Sequence, residues 1–127
     1  MTRQPLPGPG VRPPVIEWTT ICRFDQLLPE RGVAALLGDA QVAVFRTFDG
    51  QLHALANCDP FTGACVISRG IVGSRGDRAT VASPLHKQVF DLASGVCLDD
   101  PAVRLAVYQV QVRDGLVEVG HPEVARE

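Results

Sequence analysis

Cys58, Asp59, Cys65, Ser83 and His86 are the residues whose types could do chemistry, and they fall in two short runs. The first reads NCDPFTGAC over 57–65 and the second SPLHKQVFD over 83–91. Zinc asks for about four nitrogen or sulfur donors in a tetrahedral array. Cys58, Cys65 and His86, joined by Asp59, would just make that number. Neither run has the two-residue spacing of a strong zinc motif. A Cys and a His could also make a thiolate nucleophile, but nothing places a third, orienting group. The intervening GIVGSRG has three glycines three apart. A phosphate cradle of that kind sits between a strand and a helix N-terminus. DRATVASP follows instead and reads as turn and strand, so GIVGSRG is expected to be a flexible surface loop. Two structured loops with ordinary side chains remain the simplest reading of these residues taken alone.

The elements that position these loops are strands. QVAVFRTFDGQLHALA alternates apolar residues around Asp49-Gly50, a strong hairpin signal, because a type I′ turn needs positive φ at both central residues. QVFDLASGVCLDD turns at Ser94-Gly95, and VRLAVYQVQVRDGLVEV turns at Asp114-Gly115. Further strands are expected in IEWTTIC and ATVAS. In the last hairpin Val103, Leu105 and Val107 share one face while Tyr108, Val110 and Val112 share the other. A period-two strand must therefore bulge or bend near Val107, or be buried on both sides. Helical signal is thin: one turn over Asp25–Leu28, ended by Pro29. Short strands joined by glycine-containing turns predict an all-β sandwich or barrel-like domain.

The chain has 127 residues, enough for one domain with a core of its own. Its formal net charge of −2 gives no basic surface for nucleic acid. No apolar run approaches the ~18 residues of a membrane span. The N-terminal 1–14 carries Pro5, Pro7, Pro9, Pro13 and Pro14 and no apolar segment like that of a signal peptide, so it is expected to be a mobile tail. Residues 121–127 are expected to form a second short tail, leaving 15–120 as the domain. Without an export signal the cytoplasm is the expected compartment, and free thiols with it. Cys22 and Cys97 lie among apolar residues and are expected to be buried small hydrophobes.

The two runs resemble the ligand loops of the Rieske domain, where two Cys and two His hold a [2Fe–2S] cluster. SPLHKQVFDLASG resembles the second loop, with Ser83 in the Cys place and His86 in the His place. NCDPFTGA resembles the first, with Asn57 in the Cys place, Asp59 in the His place and Gly63-Ala64 keeping the turn. Three of the four ligand positions are therefore replaced, and Asn and Ser supply no thiolate. A closer resemblance has this departure as its signature. NCDPFTGACVISRGIVGSRGD, ASPLHKQVFDLASGVCLDDP and VYQVQVRDGLVEV make the chain similar, over about 15–120, to the small subunit of the assimilatory NAD(P)H-dependent nitrite reductase.

That resemblance implies a Rieske-like β-sandwich or barrel with the two ligand-type loops at one tip. It implies no catalysis by this chain alone and no cofactor of its own. The partner would be the nitrite reductase large subunit, carrying FAD, an iron–sulfur cluster and sirohaem and reducing nitrite to ammonium. Asn57, Asp59, Ser83 and His86 are expected together at the tip as hydrogen-bonding residues, with an Asp59–His86 contact tying the loops. Docking is expected through 57–76 and 83–88. Phe61 and Ile71 would be apolar anchors unless they pack the loops internally, and Arg69, Arg75 and Lys87 would supply charge. An electron carrier with an altered metal site built on Cys58, Cys65 and His86 is the alternative.

Overall fold

The structure is a computed structural model that describes residues 15–85 and 87–123. The tail expected over 1–14, His86, and residues 124–127 of the expected C-terminal tail lie outside the described residues. Among the described residues nine antiparallel strands make two sheets. The larger holds β1 (Val15–Arg23), β2 (Arg31–Leu37), β3 (Ala40–Arg46), β4 (Leu52–Ala56), β8 (Val107–Arg113) and β9 (Leu116–Glu123), in the order β1-β9-β8-β4-β3-β2. The smaller is β5 (Ile71–Arg75), β6 (Arg78–Ala82) and β7 (Val89–Asp91), in sequence order. β9 carries the chain through His121, Pro122 and Glu123, which pair with β1 up to Val15.

β3 explains the architecture. Side chains alternate faces along a strand, and here both faces are buried. Val42 and Val44 pack with Leu27, Leu37, Ala54, Val117 and Val119 in one cluster. Ala43 and Phe45 pack with Leu55, Ile67, Val81, Phe90, Leu92, Cys97 and Leu105 in a second. β9 and β3 are separated by β8 and β4, about 14 Å in a flat sheet. They nevertheless share the first cluster, so the large sheet curls into a half-barrel around it. The small sheet closes on the outside of β3 and β4 over the second cluster. Burying each large aliphatic or aromatic side chain there contributes about 1.5–3 kcal/mol.

The change of face near Val107 is a bend between the two cores. Leu105 is buried in the second cluster and Val103 packs against it, whereas Tyr108 and Val110 pack against the first. Leu105 N–H donates to the Gly95 carbonyl at 2.8 Å before β8 begins. Gly95 has φ +79°, and a Cβ there would run into the Leu105 carbonyl oxygen, so glycine is required twice over.

Four expectations change. GIVGSRG is not a loop: Ile71–Arg75 form β5, paired residue for residue with β6. It is an edge strand of the small sheet, and its weak apolar content reflects exposure on both sides. β2 also escaped the sequence reading, because its Ala-rich RGVAALL shows no alternation. The helical turn is a 3-10 turn at Phe24–Gln26 rather than Asp25–Leu28. Asp49-Gly50 does turn the chain, but not as type I′: of the two only Gly50 has positive φ. Thr47 N–H donates to the Gln51 carbonyl at 2.8 Å and Gly50 N–H to the Thr47 carbonyl at 2.9 Å, closing a three-residue loop. Asp114-Gly115 has positive φ at both residues, as type I′ demands.

Beneath the Thr47–Gln51 turn lies a cleft of about 870 Å³, lined by Glu30, Phe48, His53, Asp77, Arg78 and Asp91 among others. Arg78 and Asp91, on neighbouring strands in its lining, pair at 3.6 Å. Burial pushes His53 below its ordinary pKa, with the Asp91 and Asp49 carboxylates opposing more weakly. A His lowered on folding binds fewer protons than the unfolded chain just below the ordinary value of about 6.5. Its contribution to stability is therefore present above that value and is lost as pH falls through the folded pKa. We expect the unfolding free energy to drop on acidification from neutral pH, with part of the drop abolished by His53→Gln. Urea unfolding of both proteins at neutral and mildly acidic pH measures it; a pH-independent gap between them would contradict it.

Candidate functional site

Each of the two ligand-type loops ends a strand at the same end of the molecule. β4 runs into 57–66, and β6 runs into 83–88. Both loops use one turn. Asp59 N–H donates to the Ala64 carbonyl (2.8 Å) and Gly63 N–H returns to the Asp59 carbonyl (2.7 Å). Ser83 N–H donates to the Gln88 carbonyl (2.9 Å) and Lys87 N–H returns to the Ser83 carbonyl (3.0 Å). The residue that returns has positive φ in both, 80° at Gly63 and 63° at Lys87. The first residue of each turn also accepts through its side chain: Phe61 N–H donates to Asp59 Oδ1 (2.8 Å), and Leu85 N–H to Ser83 Oγ (3.4 Å). Asp and Ser favour such turns because their short side chains mimic a backbone acceptor. The β7 end repeats the turn at Asp91–Val96, again with an Asp first and a glycine at positive φ.

The loops are joined directly. Ser83 Oγ donates to Asp59 Oδ2 at 2.7 Å, and both residues are fully buried. The Asp59 carboxyl group thus accepts two hydrogen bonds, as a buried polar group requires. His86, the partner expected for Asp59, lies outside the described residues; Asp59 is tied to Ser83. Asn57, also buried, has other partners. Its amide donates to Gln41 Oε1 and to the Cys65 carbonyl, each at 3.2 Å, and its Oδ1 accepts from Ser68 N–H at 2.7 Å. Asn57 therefore holds the stem of the first loop, while Asp59 and Ser83 hold the loops to each other.

Cys58 and Cys65 are bonded to each other, their Cα atoms 3.6 Å apart. This overturns the expectation of four free thiols. The turn at Asp59–Ala64 folds the first loop back on itself and sets the two residues face to face. Cys97 is buried in the core between the sheets, and Cys22 is partly buried against the half-barrel core, as expected of small hydrophobes.

Around this frame the tip is apolar and basic. Phe61 is 39% exposed, its ring centroid 6.4 Å from that of buried Phe90. Ile71 is 73% exposed, so it does not pack the loops. It pairs with Ala82, one residue before Ser83. Leu85 is also exposed, and the sequence reading passed over it because Ser-Pro-Leu reads as turn. Arg69 and Lys87 are exposed, and among the described residues neither has an ion-pair partner. Arg75 stands apart. It lies opposite Arg78 at the far end of the β5–β6 hairpin and pairs with Asp99 at 3.7 Å.

Residues 17–120 match the family model of the Rieske-like [2Fe-2S] domain. The Escherichia coli K12 nitrite reductase (NADH) small subunit is 44% identical over 104 residues, 81% of this chain and 96% of that protein. A crystal structure from Mycobacterium tuberculosis, of a candidate NADH-dependent nitrite reductase small subunit, superposes with TM-score 0.84 at 53% identity, covering 87% of this chain and 99% of that one. The chain belongs to the nitrite reductase small-subunit family, within the Rieske-like domains. A segment of the Klebsiella oxytoca nitrite reductase [NAD(P)H] large subunit is also 37% identical to this small-subunit chain over 107 residues, 84% of the chain and 11% of that protein.

The donors present in this family member do not fit a [2Fe–2S] cluster. Such a cluster needs thiolates and imidazoles. Asp59 and Ser83 are hydrogen-bonded to each other, Asn57 offers an amide that is already bonded, and Cys58 and Cys65 have no thiolate while joined. Two of the three donors of the alternative electron carrier are thereby removed. Among the described residues no group of three or more His, Cys, Asp or Glu is arranged to hold a metal. No helix among them is long and apolar enough to cross a membrane.

Proposed function

We propose that this chain is the non-catalytic small subunit of an assimilatory NAD(P)H-dependent nitrite reductase, and that it docks on the large subunit through its tip. Asn57, Asp59, Ser83 and His86 occupy the four places that hold the cluster in a Rieske domain. The observation that carries the reading is the Ser83–Asp59 hydrogen bond. It joins two such places directly, where a cluster would otherwise stand between the loops. The loop frame is kept, with both turns intact, although three of the four donors are replaced. Phe61, Ile71 and Leu85 supply the apolar part of the docking face, and Arg69 and Lys87 its charge, with Arg75 at its margin. The Klebsiella large subunit, which contains a segment similar to this chain, supports a standing association rather than a transient one. Nitrite reduction to ammonium proceeds on the cytoplasmic large subunit, with its flavin, iron–sulfur cluster and sirohaem.

The isolated chain is expected to be colourless and free of stoichiometric iron. Anaerobic purification, followed by iron and acid-labile sulfide analysis and a visible spectrum, is the test. About two irons per chain with a Rieske-like spectrum would return the tip to electron transfer.

A further inference from the structure

The Cys58–Cys65 cross-link lies within the proposed docking loop. On one side of it Ile67 N–H donates to the Asn57 carbonyl at 3.0 Å, and on the other Asp59 N–H donates to the Ala64 carbonyl at 2.8 Å. These bonds close the loop whether or not the sulfurs are joined. The two thiols would therefore be held face to face, which favours rapid ring closure over reaction with separate molecules. Both residues are partly exposed, and Cys65 Sγ lies beside the Gly63 carbonyl at 3.8 Å. The other two cysteines are poor competitors: Cys97 is fully buried, and burial pushes the Cys22 thiol up.

We propose that Cys58 and Cys65 form a reversible thiol–disulfide exchange site for small cellular thiols and disulfides, and that the oxidised form is the one that docks. The second half rests on the docking reading above. In the closing direction one protein thiolate attacks a small disulfide and releases one small thiol. The second protein thiolate then displaces the other small thiol from the mixed disulfide. The protein pair loses two electrons and two protons, and the small disulfide gains both. Opening is the reverse. The cross-link adds a covalent constraint to the hydrogen-bonded turn that carries Phe61 over Phe90, so opening it leaves the turn closed by its hydrogen bonds alone and lets the proposed anchor leave its seat more often before a partner arrives. Ordering one such side chain on binding changes affinity by about three- to tenfold.

The test equilibrates the full chain with mixtures of reduced and oxidised glutathione, traps the free thiols by rapid alkylation with excess reagent under native conditions, and reads the intact mass. Two alkylations are expected to appear together, reversibly, with Cys97 unlabelled. Affinity for purified large subunit is then measured with each form and with the Cys58→Ser/Cys65→Ser double variant. The oxidised chain is expected to bind about three- to tenfold tighter than the reduced chain, and the double variant like the reduced chain at every glutathione ratio. A pair that stays closed or stays open across all mixtures overturns the exchange site. Equal affinity of the two forms overturns the coupling. Binding by neither form removes the docking reading and the coupling with it, while the glutathione titration still decides the exchange site on the chain alone.

Discussion

Phe90→Ala is expected to lower the unfolding free energy by about 3–5 kcal/mol, the usual range for removing a fully buried phenylalanine. Phe90 is 0% exposed, pairs with Val81 within the small sheet, and packs in the cluster that joins that sheet to β3 and β4. Its neighbours there come from separate strands that are held in register by their own ladders, so the cavity cannot collapse without shifting a sheet. A domain of this size should lose roughly 10–25 °C of melting temperature with it. Phe90→Leu, which keeps most of the volume, should cost about 1.5 kcal/mol or less. Urea unfolding followed by circular dichroism measures both; a loss below about 1 kcal/mol for the alanine variant would mean that the two sheets do not depend on this contact. The alanine variant also removes the support under Phe61, so it is expected to weaken docking even where it remains folded.

Phe61→Ala combined with Arg69→Glu is expected to weaken association with the large subunit by about 30-fold or more, with the fold of the isolated chain unchanged. An aromatic anchor at the centre of an interface is worth on the order of 2 kcal/mol, about 30-fold. Phe61 is partly exposed and Arg69 is exposed, which keeps the cost to the fold small. Reversing Arg69 adds a salt-dependent penalty, because a rim charge acts chiefly on the rate of encounter. That part should shrink as ionic strength rises. Arg75→Glu should matter less, since Arg75 is drawn to Asp99 and lies at the far end of its hairpin. Pull-down of the large subunit at low and high salt, with circular dichroism on each variant, separates these effects. Normal retention of the double variant at low salt would move the docking surface elsewhere.

Much of this architecture could be read from residue order. Asp114-Gly115 specified its turn type, and the exchange of apolar faces at Val107 marked the bend between two cores. β2 and β5 were hidden because RGVAALL and IVGSR show neither alternation nor many β-branched residues; they owe their state to strand pairing, a tertiary effect. Asp49-Gly50 was misread as type I′ because the dipeptide does not reveal that the Thr47 hydroxyl is hydrogen-bonded to Asp49 and that a three-residue loop results. At the tip, the resemblance placed Asn57, Asp59 and Ser83 in one region. Only coordinates give their separate pairings: Asp59 with Ser83, and Asn57 with the loop stem. The shared turn of the two loops was present as an Asp or Ser four residues ahead of Gly63 and Lys87, a signal that a lysine at positive φ conceals. Nor could four cysteines disclose one cross-link, since an even count fixes no connectivity.

Hydrogen exchange of the full chain, free and bound to its large subunit, decides whether docking uses the tip. Binding is expected to slow exchange at backbone amides in 57–72 and 83–88 and to leave β8 and β9 unchanged. Slowed exchange confined to β8 and β9, or to the cleft around His53, with the tip loops exchanging as in the free chain, would contradict it.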